Sequence, residues 1–360
     1  MSRGMIKACI AGALHYTGID RLIGAHARPE SMPLILGYHR VVDDFNASAR
    51  HSIPAMLVST RTLERHLDWL GRRYAFISLD DAAERFRSGR RGRPAAVLTF
   101  DDGYRDVYEN AFPLLQRKGI PAAVFVVTGV TGAGEILLHD ELFLLVRRCF
   151  EVWTSPGDEL TTVLAAFDVD AEQQAAIAAS TRSPYDTTRA LLTRLSQPVL
   201  RALVTRLSDR VRIPQSERDG LALMDWRMVS EMHRAGHAIG SHTRTHAYLT
   251  NEDPSAVVSE LQESRAELAR FTGIDAVHFA YPNGDFNAAI ATAAEEAGYR
   301  YAYTTCSCNG VHAPQFAIPR RMVWERSGIG AGDRFSSAVF HCETRGVFDF
   351  VSGCGRERHA

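Results

Sequence analysis

From residue 33 onward the chain alternates short apolar, β-forming runs with amphipathic stretches, and this rhythm restricts the fold more than any other feature. Runs at 34–38, 75–79, 97–100, 121–127, 237–241, 277–281, 301–305 and 316–318 read as strands bounded by Gly, Pro or polar residues. Helical patterns lie between them at 60–74, 80–86, 106–118, 226–234, 253–272 and 288–297. The first is opened by Ser59 or Thr60 as a cap and carries Leu63, His66, Leu67 and Leu70 as its inner stripe; the third is expected to kink at Pro113. Strand, helix, strand at this spacing implies parallel crossover units. Seven or eight strands in such alternation favour an α/β barrel over an open sheet.

The rhythm is interrupted once. Between about 137 and 222 the helical stretches 141–150, 171–179, 187–195 and 198–211 follow one another without convincing strands, and the segment reads as a helical insertion that forms a lid or a partner surface. The expected organisation is therefore an N-terminal amphipathic helix (1–32), a barrel with its insertion (33–325) and a glycine-rich, charged C-terminal tail (326–360) with one helix at 334–343.

Forty-one basic against forty-two acidic residues leave a net charge near zero, which gives no support for nucleic acid or a generally anionic membrane surface as partner. The six cysteines are scattered, unlike a disulfide-stapled secreted domain, and Cys306 with Cys308 reads as two positions on a strand. No apolar run is long enough to span a bilayer as a helix. The apolar stretch at 8–14 is short for a secretory leader and is soon interrupted by His15, Asp20 and Arg21. Ile6, Ile10, Leu14, Ile19, Leu22 and Ile23 instead make one side of a helix that packs on the body or touches a membrane surface. The expected location is the cytoplasm, with peripheral contact at the inner membrane surface through this helix.

The chemistry concentrates at strand ends. Val97-Leu98-Thr99-Phe100 runs directly into Asp101-Asp102-Gly103-Tyr104, so a buried strand delivers two adjacent carboxylates where parallel α/β folds place their active sites. A turn is the plain alternative for Asp and Gly. A second group, His242-Thr243-Arg244-Thr245-His246, follows the strand ending at Ser241. Its i, i+4 spacing lets two imidazoles reach one cation. Thr243 stands where the His-Glu-x-x-His metalloproteases carry their glutamate, so no general base lies inside it. Two histidines and one carboxylate form a common facial ligand set for catalytic zinc or a related divalent metal. With Asp102 as that carboxylate, Asp101 remains free to take a proton from water.

Thr99-Phe100-Asp101-Asp102-Gly103-Tyr104 followed by His242-Thr243-Arg244-Thr245-His246 resembles the first two motifs of the polysaccharide deacetylases, the NodB-like carbohydrate esterases, and Phe279-Ala280-Tyr281-Pro282-Asn283-Gly284-Asp285 resembles their third. The resemblance covers roughly 33–323 and implies a distorted (β/α) barrel that removes N-acetyl groups from an amino sugar of a polysaccharide, oligosaccharide or lipid-linked glycan. It implies Asp101 as general base, Asp102, His242 and His246 as ligands of a divalent metal, and the Asn283 backbone N–H as part of an oxyanion site. Zinc is the expected ion, with cobalt, nickel or manganese as alternatives. Tyr104 and Tyr281 join Asn283 as candidate substrate contacts.

Two departures from the family pattern stand out. Ala280 occupies the place of the arginine that steadies the catalytic Asp, and Arg320 is the candidate to reach that place from another strand. The family's C-terminal Leu-His acid motif is also absent. The chain resembles the biofilm-polysaccharide deacetylases in a Tyr-His pair at the first strand, Tyr38-His39, which makes His39 the candidate general acid. His139 and Asp140 could border the cleft, with a helix cap as the plainer role for Asp140, whereas His237, His278 and Trp226 read as core or interface. Two other functions fit the same residues: hydrolysis of another amide or acetyl ester, and carbohydrate binding without turnover. A binding-only domain has no need of Asp101.

Overall fold

The computed structural model describes residues 11, 12, 14, 17, 32–89, 92–305 and 313–348. Most of the proposed N-terminal helix, Cys306, Cys308 and the last part of the tail lie outside the described residues. Of the N-terminal segment, Ala11 and Leu14 pack with Val339, Cys342 and Val347. Among the described residues no helix is long and apolar enough to cross a membrane.

A parallel sheet forms the body. Its strands are β1 (Leu34–Tyr38), β4 (Ala75–Phe76), β5 (Ala95–Phe100), β6 (Ala122–Val126), β7 (Ala238–Ser241), β8 (His278–Ala280), β9 (Tyr301–Thr304), β10 (Ile318–Pro319) and β11 (Arg321–Met322), while β2 (Arg40–Val42) and β3 (Leu57–Ser59) pair separately. The order β10-β9-β8-β7-β6-β5-β1-β11 is that of a nearly closed barrel. Its seam is made by one stretch of chain: Ile318 and Pro319 pair with β9, Arg321 and Met322 pair with β1, and Arg320 sits between the two halves. Because every strand pair is parallel, the carboxyl ends of β1, β5, β7, β8 and β10 open on one face.

The helices follow the sequence rules with instructive shifts. Ser59 Oγ caps Thr60–Gly71 by accepting from the Thr62 N–H at 3.2 Å, and Leu63, Leu67 and Leu70 are buried on its inner side, each worth about 1.5–3 kcal/mol of burial. The strand expected at 75–79 stops at Phe76, because Ser78 caps a helix that starts at Leu79. Pro113 does not kink a continuous helix. A π-turn (Val107–Ala111) precedes the helix Phe112–Lys118, whose first turn holds Pro113, where a missing N–H costs little. Phe316 belongs to a 3-10 turn (Pro314–Phe316) rather than to the last strand. In the tail, Ser336 caps a helix at Ser337–Thr344, later than the 334–343 read from sequence.

Between β6 and the helix Trp226–Arg234 that leads into β7 run six more helices, Leu138–Val152, Pro156–Leu164, Ala171–Ala178, Pro184–Leu192, Gln197–Ser208 and Gln215–Asp219. They build a core of their own around Leu142, Leu160, Ile177, Leu191 and Leu203, separate from the main core around β1, β5 and β6. His278 bonds Asp80 and Tyr303 and His237 accepts from the Ala122 N–H, both at the amino ends of their strands and away from the open face, and Trp226 stacks on Phe271.

Candidate active site

At the open face a cavity of about 260 Å³ is lined by side chains from β-strand ends and from the helical segment. Asp101 and Asp102 enter it from the end of β5. The Asp101 N–H donates to the Tyr38 carbonyl, extending the β1–β5 ladder by one residue. The chain then turns through two left-handed residues, Asp102 at φ 72° and Gly103 at φ 76°. Asp tolerates this region better than most residues, and Gly103 lies against Val126, where a Cβ would approach to 3.2 Å.

His242 and His246 follow β7. Their loop is strained as well, with Thr243 at φ 65° and His246 at φ 62°. Glu260, on the helix Pro254–Thr272, holds it: one carboxylate oxygen accepts from the Arg244 and Thr245 N–H groups, each at 2.8 Å, and the other from Thr245 Oγ1 at 2.6 Å. His242 Nδ1 donates to the Ala280 carbonyl at 2.7 Å, which leaves the Nε2 lone pair free. Burial, only partly offset by Asp101, lowers the His242 pKa to about 4, so the ring is neutral at neutral pH.

Asp102 Oδ1 lies 3.5 Å from His242 Nε2 and 3.3 Å from His246 Nε2. Both Asp102 oxygens are buried, and among the described residues neither has a donor in hydrogen-bond geometry. Burial favours the neutral acid, but His246 and the surrounding imidazoles outweigh it and hold the group as carboxylate. A buried carboxylate with no donor is costly. The ligand atoms of Asp102, His242 and His246 all lie within 4.8 Å of one another. One hard and two imidazole donors around an orphaned negative charge fit a divalent cation such as zinc.

Asp101 is built differently. Arg320, between β10 and β11, donates from Nη1 to Oδ1 at 2.6 Å and from Nη2 to Oδ2 at 2.7 Å, with a further bond from Nη1 to Thr99 Oγ1 at 3.0 Å. Its side chain is fully buried, and the guanidinium lies over the Phe125 ring at 5.0 Å. Burial would raise the Asp101 pKa; Arg320, helped by His242 and His39, brings it below the usual carboxylate range. The arginine missing at Ala280 is thus supplied across the barrel seam.

His39 follows β1 and lines the cavity, half-buried, near both carboxylates. Asn283, at φ 58°, and Gly284, at φ 82°, bring the turn after β8 to the cavity, and a Cβ at Gly284 would meet Thr305 Oγ1 at 2.2 Å. The Asn283 side chain is tied to Asp285, so the main chain is what this turn offers a ligand. Tyr281 borders the cavity, but its phenol donates to the Phe316 carbonyl and its ring stacks on Phe286, which makes it a wall.

Tyr104 is not at the cavity surface. The turn at Gly103 carries it inward, where it bridges to Leu223, is fully buried, and bonds Asp140 at 2.6 Å and His139 at 3.0 Å. Asp140 is likewise buried, and its desolvation raises the pKa to about 6 despite Arg40. His139 lines the cavity 4.7 Å, ring to ring, from His246. Its pKa is lowered to about 3, by burial first and then by His246, so it is neutral. Glu260 and the cavity-lining helix residues Tyr185, Thr188 and Arg189 had no sequence signal beyond helical periodicity.

The model of the polysaccharide deacetylase family matches residues 88–151 and 182–302. Poly-beta-1,6-N-acetyl-D-glucosamine N-deacetylase of Staphylococcus aureus is 32% identical over 111 residues, which take in 29% of this chain and 38% of that protein. Among solved structures, the deacetylase PplD of Streptococcus pyogenes, in complex with acetate, superposes with a TM-score of 0.52 at 17% identity, over 83% of this chain and 95% of that one. IcaB from Ammonifex degensii gives 0.52 at 17% identity, over 87% and 97%. These two likenesses bear on the fold, a (β/α) barrel. With the motifs at Asp101, Asp102, His242 and His246 inside the matched residues, the chain belongs to the polysaccharide deacetylase family.

Proposed function

We propose that this protein is a metal-dependent N-deacetylase of N-acetylated carbohydrate. The observation that carries the reading is the division of labour between adjacent carboxylates: Asp102, orphaned between two histidine Nε2 atoms, and Asp101, held ionised by Arg320. A divalent ion held by Asp102, His242 and His246 would supply a Lewis acid for the acyl oxygen and a more acidic water.

The protein's own groups divide the remaining work. Asp101 accepts the proton of the attacking water, and Arg320 fixes both the direction and the ionisation of that carboxylate. The Asn283 main-chain N–H stabilises the oxygen on which negative charge develops. His39 delivers the proton that the departing amine needs. Carbohydrate binding without turnover is disfavoured, because it gives no reason to bury an arginine against Asp101.

The name of the Staphylococcus aureus relative suggests β-1,6-linked N-acetylglucosamine oligomers as the first substrates to try. Protein stripped with a chelator and reloaded with zinc, cobalt, nickel or manganese is expected to release acetate from them, and Asp101→Asn is expected to release none. Acetate release from O-acetylated but not N-acetylated sugars would replace this reading with an esterase. Absence of turnover on both panels, with no difference between Asp101→Asn and the parent, would refute hydrolysis altogether.

A further inference from the structure

His139, the second residue of the helix Leu138–Val152, takes no part in the steps above, yet its surroundings define its protonation site. Asp140 Oδ2 lies 2.6 Å from Tyr104 Oη, and a carboxylate only accepts, so the tyrosine proton points to Asp140. The same phenol oxygen lies 3.0 Å from His139 Nε2. With its own proton committed, it must accept there, and His139 Nε2 carries the N–H. A second N–H at Nδ1 would be a buried donor with no acceptor among the described residues, so Nδ1 bears a lone pair.

That Nδ1 is buried and has no partner among the described residues, although His139, 4% exposed, lines the cavity. Buried polar atoms are nearly always satisfied. The metal cluster does not account for it, since among the described residues the set of mutually close ligand atoms is Asp102, His242 and His246. The carboxylates at this end, Asp101, Asp102 and Asp140, only accept and so cannot serve a lone pair. A sugar entering the cavity brings several O–H donors.

We propose, resting on the carbohydrate reading above, that His139 is a substrate-specificity residue whose Nδ1 accepts a hydrogen bond from a sugar hydroxyl, and that Tyr104 and Asp140 are positioning residues that hold it in the Nε2–H tautomer. Tyr104 therefore acts on the substrate through His139.

Two measurements test this. In zinc-loaded protein with ¹⁵N-labelled histidine, the ring nitrogens of His139, assigned by their loss in His139→Gln, are expected to show the Nε2–H tautomer, and Tyr104→Phe is expected to shift the ring toward Nδ1–H. An Nδ1–H ring in the parent overturns the proposal. In kinetics, His139→Leu is expected to lower kcat/KM for an N-acetylglucosamine oligomer about tenfold more than for p-nitrophenyl acetate, which has no hydroxyl, as expected for one lost hydrogen bond. His139→Asn, which keeps an acceptor near the Nδ1 position, is expected to recover most of the difference, with zinc content equal in all three proteins. Equal losses on both substrates, or lost zinc, overturn the proposal. If the parent hydrolyses neither substrate, the proposed function falls, and the tautomer measurement still decides the role of Tyr104 and Asp140.

Discussion

Arg320 and Asp101, 219 residues apart in sequence, form a two-pronged ion pair with bonds of 2.6 and 2.7 Å at the seam of the barrel. The seam explains the pairing. Strands β10 and β11 bond to opposite edges of the sheet, and the single residue between them turns inward to the carboxyl end of β5.

Removing this arginine has a predictable sign. Burial alone raises the Asp101 pKa and Arg320 lowers it, so in Arg320→Ala the carboxyl stays protonated to higher pH. The acidic limb of the pH profile of kcat is expected to move upward, with kcat down about 100-fold or more at neutral pH. Arg320→Lys keeps the charge without the fork and should fall between the two. An unmoved acidic limb in Arg320→Ala would show that Asp101 is not the group titrating.

The loop between His242 and His246, the proposed metal ligands, depends on Glu260, which accepts three bonds from Arg244 and Thr245. Glu260→Ala frees a segment that carries left-handed residues at Thr243 and His246, so the ligands lose their fixed geometry. Zinc affinity, measured by competition with a chromogenic chelator, is expected to fall about 10- to 100-fold, as is usual when an outer partner of a metal ligand is lost. Unchanged affinity would show that the ligands are set by β7 alone.

What could be read from sequence and what could not divide along one physical line. Asp101, Asp102, His242 and His246 were legible because each lies within a few residues of a strand end, so local pattern alone delivers it to the open face. Tyr104 was misplaced because that logic stops at Gly103, where the backbone leaves the strand direction and takes the ring inward to Asp140. Glu260 and Tyr185 sit on ordinary helices, and nothing in helical periodicity distinguishes a residue facing a loop or a cavity from one facing solvent. Arg320 was an intermediate case: the gap at Ala280 demanded a cation, and its place at a strand end made it a candidate, but only the closure of the barrel brings it to Asp101.

Acid sensitivity follows from His66, remote from the proposed chemistry. Its Nε2 faces the Ser327 carbonyl, its Nδ1 faces Tyr38 Oη, and its ring stacks on Phe340 at 4.4 Å. Burial lowers its pKa from 6.5 to about 4. Above pH 6.5 both folded and unfolded forms are neutral; as pH falls from 6.5 to 4 the unfolded chain takes up a proton that the folded one refuses, and stability is lost. This group alone contributes up to about 3 kcal/mol of that loss. In urea titrations at pH 7 and pH 4.5, His66→Phe is expected to show a smaller difference between the two than the parent does, whatever its stability at pH 7. An undiminished difference would assign the acid sensitivity to other buried imidazoles.

The last expectation concerns the helix Pro184–Leu192, which supplies Tyr185, Thr188 and Arg189 to the cavity wall. Tyr185 lines the cavity and is 41% exposed, which puts it at the cavity rim. An aromatic face in that place gives a flat apolar platform for a sugar ring, while the reacting groups on β5 and β7 lie on the barrel. Loss of the platform should therefore weaken substrate binding without disturbing the chemical step. Tyr185→Ala is expected to raise KM about five- to tenfold with kcat within about twofold of the parent, consistent with a stacking contribution of about 1 kcal/mol. A fall in kcat at unchanged KM would place this helix in the chemistry, and no change in either would leave it as scaffold.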